Sequence, residues 1–127
     1  MEIKPLTGLL DGLRVLVLED EFLIAMDVEQ LCRDHGAEHV AIARSIEEAR
    51  AESPALSFDV AIIDVFLNNI TTFPFAAELK AKGKPFVFAS GYTDLEEMER
   101  EFPGVTVIGK PYAGDELIRS VAAACGR

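Results

Sequence analysis

The sequence predicts an α/β fold built on a five-stranded parallel sheet with helices on both faces. Three observations predict it. Short apolar runs rich in Val, Ile and Phe alternate five times with segments whose apolar residues recur at helical spacing. The connections are short enough for right-handed crossovers. The central run, Asp59-Val60-Ala61-Ile62-Ile63-Asp64, holds four consecutive apolar residues, as expected of a strand buried on both faces. The strand order that follows is 2-1-3-4-5, the flavodoxin-like three-layer (βα)5 sandwich.

Residues 1 to 11 show no periodicity and contain Pro5 and Gly8, so they form a lead-in. Leu13 to Leu18 is the first strand. From about Glu21 to His35, Leu23, Ile24, Asp27, Val28, Leu31 and Cys32 recur at helical spacing, with only Asp27 polar, and Gly36 is a helix stop. Glu38 to Ala43 is the second strand. Ser45-Ile46-Glu47-Glu48 is a capping box opening a helix expected to end before Pro54. After the Asp64 strand, residues 65 to 69 read as a loop. Thr72 is an N-cap candidate, with Pro74 in the first turn and Phe75, Ala76 and Leu79 as the apolar stripe. Phe86 to Ala89 is the fourth strand. Thr93 with Glu96 suggests another capping box, but the segment to Arg100 has few apolar anchors, chiefly Leu95 and Met98, and predicts a short or loosely held helix. Val105 to Ile108 is the fifth strand, and Leu117, Ile118, Val121, Ala122 and Cys125 form the buried face of the last helix.

The 127 residues suit one domain, expected over residues 10–127, and leave none for a DNA-binding output domain. No apolar run approaches the roughly eighteen residues of a membrane span, and the N-terminus lacks a signal peptide's pattern. A cytoplasmic protein without membrane contact is expected. Cys32 and Cys125, far apart on helical patterns, are expected to be buried free thiols. The net charge of −10 argues against nucleic acid as a direct partner, because phosphate binding needs clustered Lys and Arg. Part of the acid excess lies in Asp94 to Glu101, which suits a solvated helix face or, as the alternative, recognition of a basic partner surface.

The chemistry gathers at the strand ends. Ligands of open α/β sheets collect at the carboxyl ends of the strands, and four apolar runs here end on polar groups. The first runs into Glu19, Asp20 and Glu21, the third into Asp64, the fourth into Ser90, and the fifth reaches Lys110 after Gly109. In the order 2-1-3-4-5 the first and third strands are neighbours, which places Glu19, Asp20 and Asp64 side by side. Crowded carboxylates repel unless a cation sits among them. Mg²⁺ suits such a set, with Asp20 and Asp64 as direct ligands, Glu19 through water, and Phe66 by its backbone carbonyl. A carboxylate beside Mg²⁺ can attack a phosphoryl group. Asp64 is the best nucleophile because it stands alone on the central strand. Lys110 supplies positive charge to the phosphoryl oxygens, and Ser90 a hydrogen bond.

With these residues in place, the chain from about Leu13 to Cys125 resembles the receiver domains of bacterial two-component response regulators, a CheY-like family. Val15-Leu16-Val17-Leu18-Glu19-Asp20 is similar to the family's acidic pair, Ile63-Asp64 to its phosphorylated Asp, Ser90 to its Ser or Thr, and Lys110-Pro111 to its Lys-Pro step, whose peptide bond is usually cis. The resemblance implies phosphoryl transfer to Asp64 from a histidine kinase, Mg²⁺ dependence and slow self-hydrolysis. Two features depart from the pattern. Val107 stands where the family has an aromatic switch residue, and the usual Met-Pro-x-x-x-Gly loop is replaced by residues 67–74. With Phe88-Ala89-Ser90-Gly91-Tyr92, these resemble the FAT GUY subgroup of mostly stand-alone receivers, which implies a mobile region at the fourth helix and a kinase of the HWE or a related type. A downstream target or phosphotransfer protein is the further partner implied.

Other classes fit less well. A phosphohydrolase with an aspartyl nucleophile wants a second Asp two residues after the first, where Phe66 stands. A receiver-like interaction module that works without phosphorylation is the alternative that the altered switch position keeps open.

Overall fold

A computed structural model of the chain describes residues 8–55, 58–91, 95–110 and 113–127. In chain order the elements are β1 (Arg14–Leu18), α1 (Phe22–Asp34), β2 (His39–Ala43), α2 (Ile46–Ala55), β3 (Val60–Asp64), β4 (Phe66–Leu67), β5 (Ile70–Thr71), α3 (Phe73–Ala81), β6 (Phe86–Ser90), α4 (Leu95–Glu101), β7 (Val107–Gly109) and α5 (Gly114–Ala124). The main sheet is five-stranded in the order β2-β1-β3-β6-β7, and every pairing in it is parallel. Setting aside the small antiparallel pair β4-β5, this is the expected 2-1-3-4-5 order.

Side-chain alternation divides the core between the two faces of the sheet. Leu16 and Leu18 of β1, Ala61 and Ile63 of β3, and Phe86 and Phe88 of β6 pack on one face with Ala49 of α2, Phe75 and Leu79 of α3, and Met98 of α4. Val15, Val17, Val60, Ile62 and Val87 pack on the other with Val28 and Cys32 of α1 and Leu117, Ile118 and Val121 of α5. Both faces being covered explains why β3 reads as an unbroken apolar run, and all its residues are buried. Phe73, Phe86, Phe88 and Phe102 form an aromatic cluster with ring centroids 5.2 to 6.0 Å apart, mostly edge to face. Phe102 thereby anchors the end of α4, a contact that the count of apolar residues up to Arg100 left out.

Several local expectations are corrected. Residues 65 to 69 are not a plain loop: Phe66 pairs with Thr71 and Leu67 with Ile70 in a hairpin. Its turn residues, Asn68 and Asn69, have φ of 52° and 64°, the left-handed values a two-residue type I′ turn requires and Asn tolerates. Helix α2 does not stop before Pro54 but runs to Ala55. A proline in the last turn forfeits one backbone bond where helices fray. The capping box is present in part: Glu48 N–H donates to Ser45 Oγ at 3.1 Å, while the Glu48 carboxylate reaches back to Arg44 N–H at 2.7 Å. The fifth strand of the sheet is Val107–Gly109, not Val105 to Ile108, because its partner β6 fixes the register at Phe88 with Val107. Leu23, expected on the buried stripe of α1, is 76% exposed; Ala25, Val28 and Cys32 are the buried residues there. Both cysteines are free, Cys32 buried and Cys125 partly so, and burial pushes each thiol up, Cys32 to about 12. Thr93 of the second capping box lies outside the described residues. Among the described residues no helix is long and apolar enough to cross a membrane.

Candidate functional site

The carboxyl ends of β1, β3, β6 and β7 lie along one edge of the parallel sheet. Glu19 continues the sheet one residue past β1, its N–H donating to Ala43 O at 3.0 Å, and its side chain is 2% exposed. Asp64 closes β3, and Ser90 closes β6; both are buried. Lys110 follows β7, tethered by its N–H to Ser90 O at 2.9 Å. The Lys110 Nζ donates to Glu19 Oε1 at 2.6 Å and to Asp64 Oδ2 at 2.9 Å. Asp20, only partly buried, accepts the Asn68 N–H at 3.2 Å. Sheet order thus brings together residues 19, 20, 64, 90 and 110 from four separate strand ends.

The charge balance points to a cation. One carboxylate oxygen from each of Glu19, Asp20 and Asp64 lies within 4.8 Å of the others. Burial, joined by the negative Asp64, pushes the Glu19 carboxyl from its ordinary 4.5 up to about 7, even though Lys110 and the Glu21 N–H hydrogen-bond to it. Three carboxylates thus share the Lys110 ammonium. The donor set is all oxygen and mostly carboxylate, which fits a small hard divalent ion of the Mg²⁺ kind.

Phe66 is 43% exposed, and its N–H donates to Asp64 Oδ1 at 3.3 Å. Val107 is partly buried against the core and paired with Phe88, so an aliphatic side chain occupies the position of the family's aromatic switch. Pro111 of the Lys-Pro step and Tyr92 lie outside the described residues.

Two residues at the site were not expected there. Asn68 caps Asp20 through its backbone, and the signal for it was present: an Asn-Asn pair between Phe-Leu and Ile-Thr is a hairpin pattern. Thr72 was expected to cap α3, and it does precede that helix, but its side chain makes no cap bond. The hydroxyl instead donates to Asp64 O at 2.7 Å. No local pattern announces that contact.

Comparison with known proteins agrees with this fold. Residues 15–122 match the family model for the response regulator receiver domain. The chain is 31% identical over 117 residues to the transcriptional regulatory protein PdtaR of Mycobacterium tuberculosis, covering 90% of this chain and 57% of that protein. It is similar to the crystal structure of the response regulator PhyR from Brucella abortus, with a TM-score of 0.79 and 25% identity over 94% of this chain and 51% of that one. A response regulator receiver protein from Sinorhizobium medicae shares the fold at a TM-score of 0.80 and 21% identity, over 92% of this chain and 97% of that one. The chain spans little more than half the length of the curated relative and of PhyR.

Proposed function

This chain belongs to the response regulator receiver family, and on that premise we propose that it is a phosphoacceptor whose Asp64 takes a phosphoryl group from a histidine kinase. It is a signalling domain of a two-component system, of the kind that contacts kinases and downstream proteins. The observation that carries the proposal is the Lys110 ammonium held between Asp64 and Glu19 at 2.9 and 2.6 Å, with Asp20 alongside.

In the proposed reaction an Asp64 carboxylate oxygen attacks the phosphorus of the donor phosphohistidine. The N–P bond breaks, and the donor imidazole leaves with its electron pair and takes up a proton. Lys110 sits against Asp64 Oδ2 at 2.9 Å, and in this reading its ammonium would meet a phosphoryl oxygen, with Ser90, at the end of the adjacent strand, offering a hydroxyl to another. Asp20, Asp64 and the Phe66 carbonyl would hold Mg²⁺ directly, with Glu19 through water. The ion supplies charge neutralisation between the carboxylates and the incoming phosphoryl oxygens. Slow hydrolysis of the acyl phosphate would end the signal.

The receiver unit is assigned to residues 10–127, acting in the cytoplasm through protein contacts, with no nucleic acid bound directly given the net charge of −10. A kinase of the HWE or a related type is the proposed donor, and a target protein or phosphotransfer protein the recipient. The Val107 position supports the second reading, an interaction module that works unphosphorylated.

The deciding experiment is intact mass spectrometry after incubation with acetyl phosphate and Mg²⁺, beside Asp64→Asn and an EDTA sample. A single phosphoryl adduct that needs both Mg²⁺ and Asp64 is expected. Its absence, with kinase-donated phosphate also refused, would favour the interaction module.

A further inference from the structure

Phosphoryl transfer at Asp64 requires two backbone groups to be held in place: the end of β3, which aims the carboxylate, and the Phe66 carbonyl two residues later. The hairpin 66–71 supplies the hold. Thr72 N–H donates to Val65 O at 3.0 Å, extending the hairpin ladder by one bond, while the Val65 N–H is given to Ala89 O of β6 at 3.0 Å. Phe66 with Thr71 is then the non-bonded pair, and the Phe66 N–H and C=O face outward from β5. The N–H of Phe66 is indeed spent on Asp64 Oδ1 at 3.3 Å, and in an extended strand a residue's N–H and C=O leave on the same side.

Thr72 ties this hairpin to the strand end. Its side chain is fully buried, and its hydroxyl donates to Asp64 O at 2.7 Å, with Val65 O at 3.3 Å as a weaker second acceptor. A hydroxyl has one proton, so the shorter bond takes most of it. A threonine ahead of a helix ordinarily caps the free N–H groups of the first turn, and this one does not. The bond it makes fixes the peptide plane that follows Asp64, and with it the direction in which the next residues leave the strand.

We propose that Thr72 is a positioning residue for Asp64 phosphorylation, its hydroxyl setting the peptide that carries the nucleophile and, through the Val65 pairing, the outward direction of the Phe66 carbonyl. The inference rests on the phosphoacceptor reading. It assigns to one side chain the work of keeping the nucleophile and the carbonyl ligand in register, across a loop that departs from the family's usual Met-Pro pattern.

The test compares Thr72→Val, which keeps the shape and removes the hydroxyl, with Thr72→Ser, which keeps the hydroxyl. Three quantities are read: Mg²⁺ affinity from amide chemical-shift titration, the rate of phosphorylation by acetyl phosphate at saturating Mg²⁺, and the melting temperature. Thr72→Val is expected to weaken Mg²⁺ binding and slow phosphorylation by roughly fivefold or more, the effect of one lost hydrogen bond, while Thr72→Ser stays within about twofold of the parent. A Val variant with a lower melting temperature but unchanged Mg²⁺ affinity and rate would reduce Thr72 to a structural residue and overturn the proposal. Should Thr72→Val not fold, Thr72→Ala against Thr72→Ser makes the same comparison. A parent protein that binds Mg²⁺ but takes no phosphoryl group would sink the phosphoacceptor reading alone, and the Mg²⁺ affinities would still decide the hold exerted by Thr72.

Discussion

The Lys110 ammonium and the Glu19 carboxylate meet at 2.6 Å, although they follow β7 and β1, strands separated in the sheet by β3 and β6. Neighbouring strands lie about 4.8 Å apart, so both side chains must lean inward over the end of β3 to touch. Asp64 stands at that meeting point and takes the same ammonium at 2.9 Å. One lysine therefore serves two buried carboxylates, and its removal affects charge balance and chemistry in opposite ways.

Lys110→Met takes the positive charge out of the cluster while keeping an unbranched stem. Mg²⁺ affinity is expected to rise, because the ion then meets the carboxylates without a competing ammonium. Phosphorylation by acetyl phosphate is expected to fall on the order of a hundredfold, the usual cost of one charge-stabilising donor. Titration and rate measured on the same sample check the split. A parallel fall in both would show Lys110 to be acting chiefly on the fold.

The pH dependence of the metal-free protein follows from Glu19. Its carboxyl is raised from 4.5 to about 7 in the folded state, with burial as the leading cause. The native state holds this proton to higher pH than the unfolded chain does. The corresponding stability is complete below about pH 4.5 and lost as pH rises through about 7. In EDTA the melting temperature should therefore drop by several degrees between pH 5 and pH 8 from this group. Glu19→Gln should flatten that slope, and Mg²⁺ should restore more stability at pH 8 than at pH 5.

The hairpin turn offers a third test. Asn69 holds a φ of 64°, which a β-branched residue adopts poorly, and its neighbour Asn68 delivers the N–H that holds Asp20. Asn69→Val should cost about 1–3 kcal/mol in denaturant unfolding, whereas Asn69→Gly should be nearly neutral. If the turn positions Asp20, the Val variant should also bind Mg²⁺ more weakly than the Gly variant. Equal affinities would mean that Asp20 holds its place without the hairpin.

Much of this molecule is legible in one dimension. The Val60 to Ile63 run could be assigned because a strand buried on both faces needs no polar alternation. The positions of Glu19, Asp20, Asp64, Ser90 and Lys110 could be gathered because parallel strands all deliver their carboxyl ends to one edge. Their roles in catalysis and ion binding are chemical proposals that strand order alone does not establish.

What the sequence left open depended on partners distant in the chain. Leu23 and Ile24 are adjacent apolar residues, and the rotation that α1 adopts over the sheet and α5 exposes the first. The start of β7 was displaced to Val107 by pairing with Phe88, a choice made by the neighbouring strand. The strands of the 66–71 hairpin are two residues each, too short for a period of two to be seen. Thr72 reaches back to Asp64 once that hairpin has closed.

The sequence by itself determined the order of the main-sheet strands and the helices, the two-faced core and the strand ends on which the acids and the lysine fall, because periodicity and burial act on neighbouring residues. The tertiary structure alone decided the 2.6 Å contact of Lys110 with Glu19, the capping of Asp20 by Asn68 and the bond from Thr72 to Asp64. Each of those joins groups whose separation is set by strand spacing and register; the Asn-Asn pair signals a turn, but no local pattern encodes which distant group its N–H, the Lys110 ammonium or the Thr72 hydroxyl will meet.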